Sequence, residues 1–425
     1  MKKLKVHPNR RYLMYEDGAP FYYLADTAWE LIHKLNKEEM EFYLSTRKEQ
    51  GFTVIQTVIL AELDGILSPN ASGHFPLICK EGRYGIRQEE ASNFWTDLDS
   101  VLQMAGEQEL YLGLLPAWGD KFNKKHGIGP EIFDEKNAYE YGKRLGERYR
   151  DQWNIIWILG GDRPLETKEQ EGIIDAMAKG LREGDAGTHL MTFHPCGAAS
   201  SADFVAGKDY IDFHSIQSGH GMEGYESYYM LRNTARREAK PVMDMESRYE
   251  DFPACFRTDY GYLWSAADVR QNNYWNLMEG VCGHTYGHRA VWCFHTETTV
   301  DNPYSWREVL RREGAEQIRH LKKLRLSRSY FDFRNGDELI RGRTGGGGHQ
   351  CAGRGENYAY LYSPLGLPVY TELSSFGGSN LRASWFNPRT GSEEVFAFVT
   401  SREEVFVPPS SGKGNDWVLI LEKAE

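Results

Sequence analysis

Ile155-Ile156-Trp157-Ile158-Leu159-Gly160-Gly161-Asp162 reads as five large apolar residues, two glycines and an acid. A short apolar run without alternation predicts a strand buried on both faces, the kind that builds parallel sheets. A carboxylate inside such a strand is costly, so Asp162 belongs at the strand's mouth. The same unit recurs outward in both directions. A helical pattern over 137–149 precedes it, and another near 166–182 leads into a strand at 189–193. Upstream lie an aromatic run at 21–25, a charged helix-period stretch at 36–50 and the β-branched run FTVIQTVIL at 52–60. Residues 61–90 are loop-like, followed by a helix near 93–109 and a strand at 110–115. Downstream come strands at 211–216, 242–245 and 281–286, helices near 226–239 and 260–279, and a long helix at 306–326. Eight strands alternating with helix-length connections imply parallel pairing through right-handed crossovers. The predicted fold is therefore α/β, a (β/α)8 TIM barrel with insertions, with a doubly wound open sheet as the alternative.

From Tyr330 the texture changes. Helical periodicity stops, and short runs at 358–362, 369–373, 394–399 and 417–421 alternate with turn signals. Those signals include Asn335-Gly336, the glycine run at 345–348, Leu365-Gly366, Gly377-Gly378 and Pro408-Pro409. This pattern predicts a small all-β sandwich. The expected domains are a catalytic barrel over 1–328 and a sandwich over 329–425, the latter in a supporting role.

Composition narrows the function. Fifty Lys and Arg against 61 Asp and Glu leave a net charge of −11, and no basic cluster outweighs the surrounding acid, so a nucleic-acid partner is not expected. No run approaches the roughly 18 apolar residues of a membrane span, and the N-terminus lacks the apolar core of a secretory signal. The six cysteines lie far apart without a C-x-x-C pair and read as reduced thiols of a cytoplasmic protein. The oligomeric state stays open. The 11 Trp, 25 Tyr and 20 Phe suit a protein that stacks on flat faces such as sugar rings.

Barrel enzymes draw their active-site residues from the carboxyl ends of the strands. Here those ends present Asp26-Thr27-Ala28-Trp29, Glu62, Trp118, Asp162, His194, Gln217-Ser218-Gly219-His220, Glu246 with Tyr249, and Trp292. Acids for an acetal, rings for stacking and polar groups for hydroxyls point to carbohydrate chemistry. Asp162 and Glu246 are the expected catalytic pair, because strands four and seven face each other across a barrel and can flank one bond. Asp26, Trp29, Trp118, His194, Gln217, His220, Tyr249 and Trp292 are the expected substrate contacts. Two blander readings stand beside this one: Asp162 as a helix cap, and Glu246 as a rim ion pair. Glu250 is the second choice for nucleophile.

Other motifs carry less. Residues 219–224 fit G-x-G-x-x-G, but the strand before them is too polar for a dinucleotide fingerprint. The 345–348 run lacks the Lys and Ser/Thr of a P-loop, and Asn70-Ala71-Ser72 is a glycosylation acceptor only in an exported chain. His194, His214, His220, His284 and His288 raise a metal question, but H-x-H is missing from the first strand and H-E-x-x-H from the chain. No metal or cofactor is expected.

Several of these segments together resemble the apiosidase-like glycoside hydrolases of family 140. They are Tyr23-Leu24-Ala25-Asp26-Thr27-Ala28-Trp29, Gly51-Phe52-Thr53-Val54-Ile55-Gln56, Trp157-Ile158-Leu159-Gly160-Gly161-Asp162 and Gln217-Ser218-Gly219-His220. Glu246-Ser247-Arg248-Tyr249-Glu250 and Gly283-His284-Thr285-Tyr286-Gly287-His288 complete the set. The resemblance spans about residues 5–325, and the tail is similar to a sandwich that carries a collagen-binding label. It implies a retaining glycosidase that frees the branched pentose apiose from plant glycans, with Asp162 as acid/base and Glu246 as nucleophile. The strand-seven motif departs from the family's Gly-Glu-Pro form, reading Met-Glu-Ser-Arg-Tyr-Glu. Without export, a short oligosaccharide or small glycoside is the expected substrate. Another sugar, such as arabinofuranose or galactose, is the nearby alternative. A non-catalytic carbohydrate-binding protein is the alternative of another class, against which the paired acids argue.

Overall fold

The computed structural model describes residues 3–80, 83–85, 93–221, 227–299, 302–342, 345–376, 380–400 and 402–423. Met222-Glu223-Gly224 of the glycine motif and the Gly377-Gly378 turn signal lie outside the described residues. An antiparallel ribbon of Leu4–Val6, Leu13–Tyr15 and Pro20–Phe21 opens the chain. Eight parallel strands follow: β1 (Tyr23–Thr27), β2 (Val54–Leu60), β3 (Tyr111–Ala117), β4 (Ile155–Gly160), β5 (Met191–His194), β6 (His214–Gln217), β7 (Val242–Asp244) and β8 (Gly283–Tyr286). They pair in the order β5-β4-β3-β2-β1-β8-β7-β6. Every residue of β2, β3 and β4 is buried, which is why those strands are mostly apolar rather than alternating, with Gln56 and Thr57 of β2 as buried polar exceptions.

The cylinder closes between β5 and β6, largely through side chains. Asp212 N–H donates to Met191 O at 2.8 Å. The Thr192 and Ser215 hydroxyls donate to Phe213 O and Phe193 O at 2.7 and 2.5 Å. At this seam the two hydroxyls take the place of ladder bonds.

The crossover helices include α1 (Lys37–Glu49), α2 (Phe94–Glu107), α3 (Glu135–Tyr149), α4 (Lys168–Asp185), α5 (Ser227–Arg237), α6 (Ala266–Met278) and α7 (Glu313–Leu326). Asn36 with Glu39, Asp134 with Asn137 and Thr167 with Gln170 form capping boxes that fix where α1, α3 and α4 begin. No helix among the described residues is long and apolar enough to cross a membrane.

Beyond Tyr330 the chain is antiparallel β structure. A six-stranded sheet, including Tyr358–Ser363 and Trp417–Lys423, is faced by a two-stranded ribbon of Val369–Glu372 and Glu403–Phe406. The period of two decides what each face does. Ala359, Leu361, Leu419 and Leu421 join the domain's own core, whereas Tyr358, Tyr360, Tyr362, Val418 and Ile420 join the core of the barrel. Tyr274 of α6 stacks on Tyr362 with ring centroids 5.2 Å apart. Arg270 pairs with Asp416 at 2.6 Å with both side chains buried.

Candidate active site

The carboxyl ends of the strands surround a cavity of about 460 Å³. Asp162 reaches it because Gly160 (φ +86°) and Gly161 (φ +113°) turn the chain sharply off β4. A Cβ on Gly160 would lie 2.4 Å from His194 O, so only glycine fits between β4 and β5. Asp162 is itself left-handed, with φ +54°. Its turn is clamped on both sides, by Gly119 N–H to Gly161 O at 3.0 Å and Gly161 N–H to His194 O at 3.1 Å. Across the cavity, Glu246 leaves the end of β7. Gly219 N–H donates to its carbonyl at 3.0 Å, and Gln56, inside the barrel, donates to Met245 O at 3.1 Å.

The two acids differ in surroundings. Glu246 is nearly buried, with His220 Nε2 3.1 Å from Oε1 and His194 Nε2 3.1 Å from Oε2. Burial alone would raise its pKa, but the His194 and His220 imidazoles beside it reverse that and hold the carboxyl below the ordinary glutamate value. Asp162 is shifted the opposite way. Burial raises its pKa first and the Glu246 charge second, with His194, Arg163 and Gln217 opposing. His194 touches both acids: Asp162 N–H donates to its Nδ1 at 3.3 Å, and its Nε2 lies 3.1 Å from Glu246 Oε2. Arg163, fully buried, links Asp162 at 2.9 Å to Glu62 at 3.1 Å.

Six of the eight expected contact residues line this cavity: Trp29, Trp118, Gln217, His220, Tyr249 and Trp292. His194 lies behind it, edge-on to Trp29 with ring centroids 5.2 Å apart. Asp26 lies away from the cavity altogether and corrects the sequence reading. On β1 it faces the helix layer, where Arg47 Nε lies 2.6 Å from its carboxylate and the Tyr43 hydroxyl donates to the same oxygen. Asp26 is therefore a buried ion-pair partner of α1, out of a sugar's reach. Glu250 also points elsewhere. Its carboxylate takes the Gly314 N–H at the start of α7 and the Tyr286 hydroxyl at 2.6 Å, and burial pushes its pKa up to about 7.

Phe252 and Phe256 also line the cavity, and sequence reasoning missed both. The one available signal was an aromatic-rich loop after strand seven. Among the described residues no group of three or more His, Cys, Asp and Glu side chains is gathered as for a metal ion. The barrel histidines are engaged separately, His214 with Glu238 and His288 with Asp251.

Residues 7–332 match the family model described as "Apiosidase-like, catalytic domain". Residues 336–422 match the one described as "Putative collagen-binding domain of a collagenase". A solved structure named glycoside hydrolase is 30% identical, covering 99% of this chain and 97% of that one with a TM-score of 0.89. A glycoside hydrolase family 5 structure from Bacteroides vulgatus is likewise 30% identical, with 99% and 93% covered and a TM-score of 0.89. No curated protein matches the chain.

Proposed function

Because the chain belongs to the apiosidase-like catalytic-domain family, we propose that it is a retaining glycoside hydrolase releasing apiose, or a related pentofuranose, from plant-derived glycosides. One observation carries this reading: two carboxyls face one aromatic-lined cavity, and their environments push the pKa values apart. Such a split separates a proton donor from an ionised nucleophile. In the first step Glu246 attacks the anomeric carbon while Asp162 delivers its proton to the departing glycosidic oxygen. The glycosyl ester on Glu246 then awaits water. Asp162, now a carboxylate beside Arg163, takes a proton from that water as it attacks the anomeric carbon, and the sugar leaves with its configuration retained. His220 bonds one Glu246 oxygen, His194 lies 3.1 Å from the other, and the two imidazoles favour the ionised group.

The test is a panel of aryl glycosides that includes an apioside, with the first-formed anomer followed by NMR. A retained anomer of apiose or a related pentofuranose is expected, and an inverted first product would sink the mechanism. Glu246→Ala should abolish turnover on every substrate. Loss in Glu250→Ala with survival in Glu246→Ala would move the nucleophile.

A further inference from the structure

The loop after β7 contains the most conspicuous backbone strain near the cavity. Cys255 (φ +56°) and Phe256 (φ +59°) are consecutive non-glycine residues in left-handed conformation. Each such residue costs on the order of 1 kcal/mol, and such strain persists where surrounding bonds impose it. Those bonds are present. Pro253 and Leu263 form an antiparallel bridge, Trp264 N–H donates to Phe252 O at 2.9 Å, and Cys255 N–H donates to His220 O at 3.1 Å.

The strain gains no core packing. Phe256 is 63% exposed, although its ring lines the cavity. It meets Phe252 edge-on at 5.3 Å, and Phe252 stacks at 4.6 Å on His220, the residue that holds Glu246. An apolar wall thus runs from the nucleophile's support outward to the cavity mouth. A large ring held out in water, on a backbone it does not prefer, is poised for a flat apolar partner.

We propose that Phe252 and Phe256 form the leaving-group subsite, and that the substrates of this chain are glycosides of aromatic alcohols, with the phenol ring seated on Phe256. This rests on the glycosidase reading of the same cavity. A sugar leaving group could stack on such a ring but would also need hydroxyl partners beside it, and Phe252 and Phe256 offer apolar surface alone.

The test pairs two apiosides, methyl and 4-methylumbelliferyl, with Phe256→Ala and Phe256→Tyr. In Phe256→Ala the ratio of kcat/KM for the umbelliferyl over the methyl substrate should fall roughly 10-fold, and Phe256→Tyr should restore most of it. The same ratio in all three proteins would overturn the subsite. Binding of free 4-methylumbelliferone, followed by fluorescence, reads the subsite without turnover. Saturable binding by the unaltered protein, weakened in Phe256→Ala with the melting temperature preserved, supports the proposal. Absence of binding to the unaltered protein refutes it. Phenol binding without hydrolysis of any glycoside would instead refute the glycosidase reading and leave the subsite standing.

Discussion

Replacing Asp162 by Asn separates proton transfer from every other contribution of that side chain. Asn keeps the shape, and Arg163 retains its 2.7 Å bond to the residue-162 carbonyl, so the turn between β3 and β5 should survive. What disappears is the proton that burial and the Glu246 charge retain on the carboxyl. General acid catalysis is worth about 10²–10⁴-fold, and it counts most where the leaving group is poor. A methyl or sugar glycoside should therefore lose at least ~10²-fold in kcat/KM, or about 2.7 kcal/mol of transition-state stabilisation. A nitrophenolate departs unaided, so the glycosylation step on a nitrophenyl glycoside should lose far less. Hydrolysis of the glycosyl-enzyme still lacks its base, and azide should accelerate turnover by attacking in place of water. The pH profile gives a second readout. Its alkaline limb, set by Asp162, should vanish. The acid limb, set by Glu246, should stay in place, because Asp162 is already neutral at the pH where Glu246 titrates. Equal losses on both substrates, no azide response and a persisting alkaline limb would together show that Asp162 positions the sugar. The donor would then be sought at Glu62, which shares Arg163, or at His194.

His220→Ala removes a bond to the Glu246 carboxylate, of a kind worth about 1.5–3 kcal/mol, so kcat/KM should fall roughly 10- to 100-fold. The acid limb should move to higher pH, because Glu246 loses part of what lowers its pKa; a profile displaced downward would contradict the arrangement. Asp26→Ala strands Arg47 in the barrel wall and should cost about 3–5 kcal/mol of stability in chemical denaturation. The KM of the surviving folded protein should barely change, and a large rise in KM at unaltered stability would return Asp26 to the substrate. Cutting the chain after Ser327 uncovers the barrel surface around Tyr274 and removes Asp416 from Arg270, so an insoluble or destabilised product is expected. A soluble and fully active fragment would show that the sandwich is a separate module.

Much of this was legible in the residue order because apolar strands and acids exclude each other. A run such as Ile155–Leu159 cannot hold a carboxylate, so Asp162 had to stand at a strand end, and the alternation of runs with helices put that end on the catalytic face. The aromatic share and the placement of Trp29, Trp118 and Trp292 near strand ends followed from the same logic. Three matters were decided only in three dimensions. In a strand buried on both faces, hydropathy carries no phase, so nothing local said that Asp26 faces the helices. Glu246 and Glu250 lie four residues apart in an irregular segment. What separates them is distant: His194 at the end of β5 and His220 beyond β6 flank Glu246, and the N-terminus of α7 holds Glu250. The Phe256 ring reaches the cavity mouth through a left-handed turn that its sequence does not favour, imposed by bonds from His220 and Pro253. Local composition thus determined the scaffold and the kind of chemistry. Long-range hydrogen bonds and charges, which no window of sequence contains, decided which acid meets which partner.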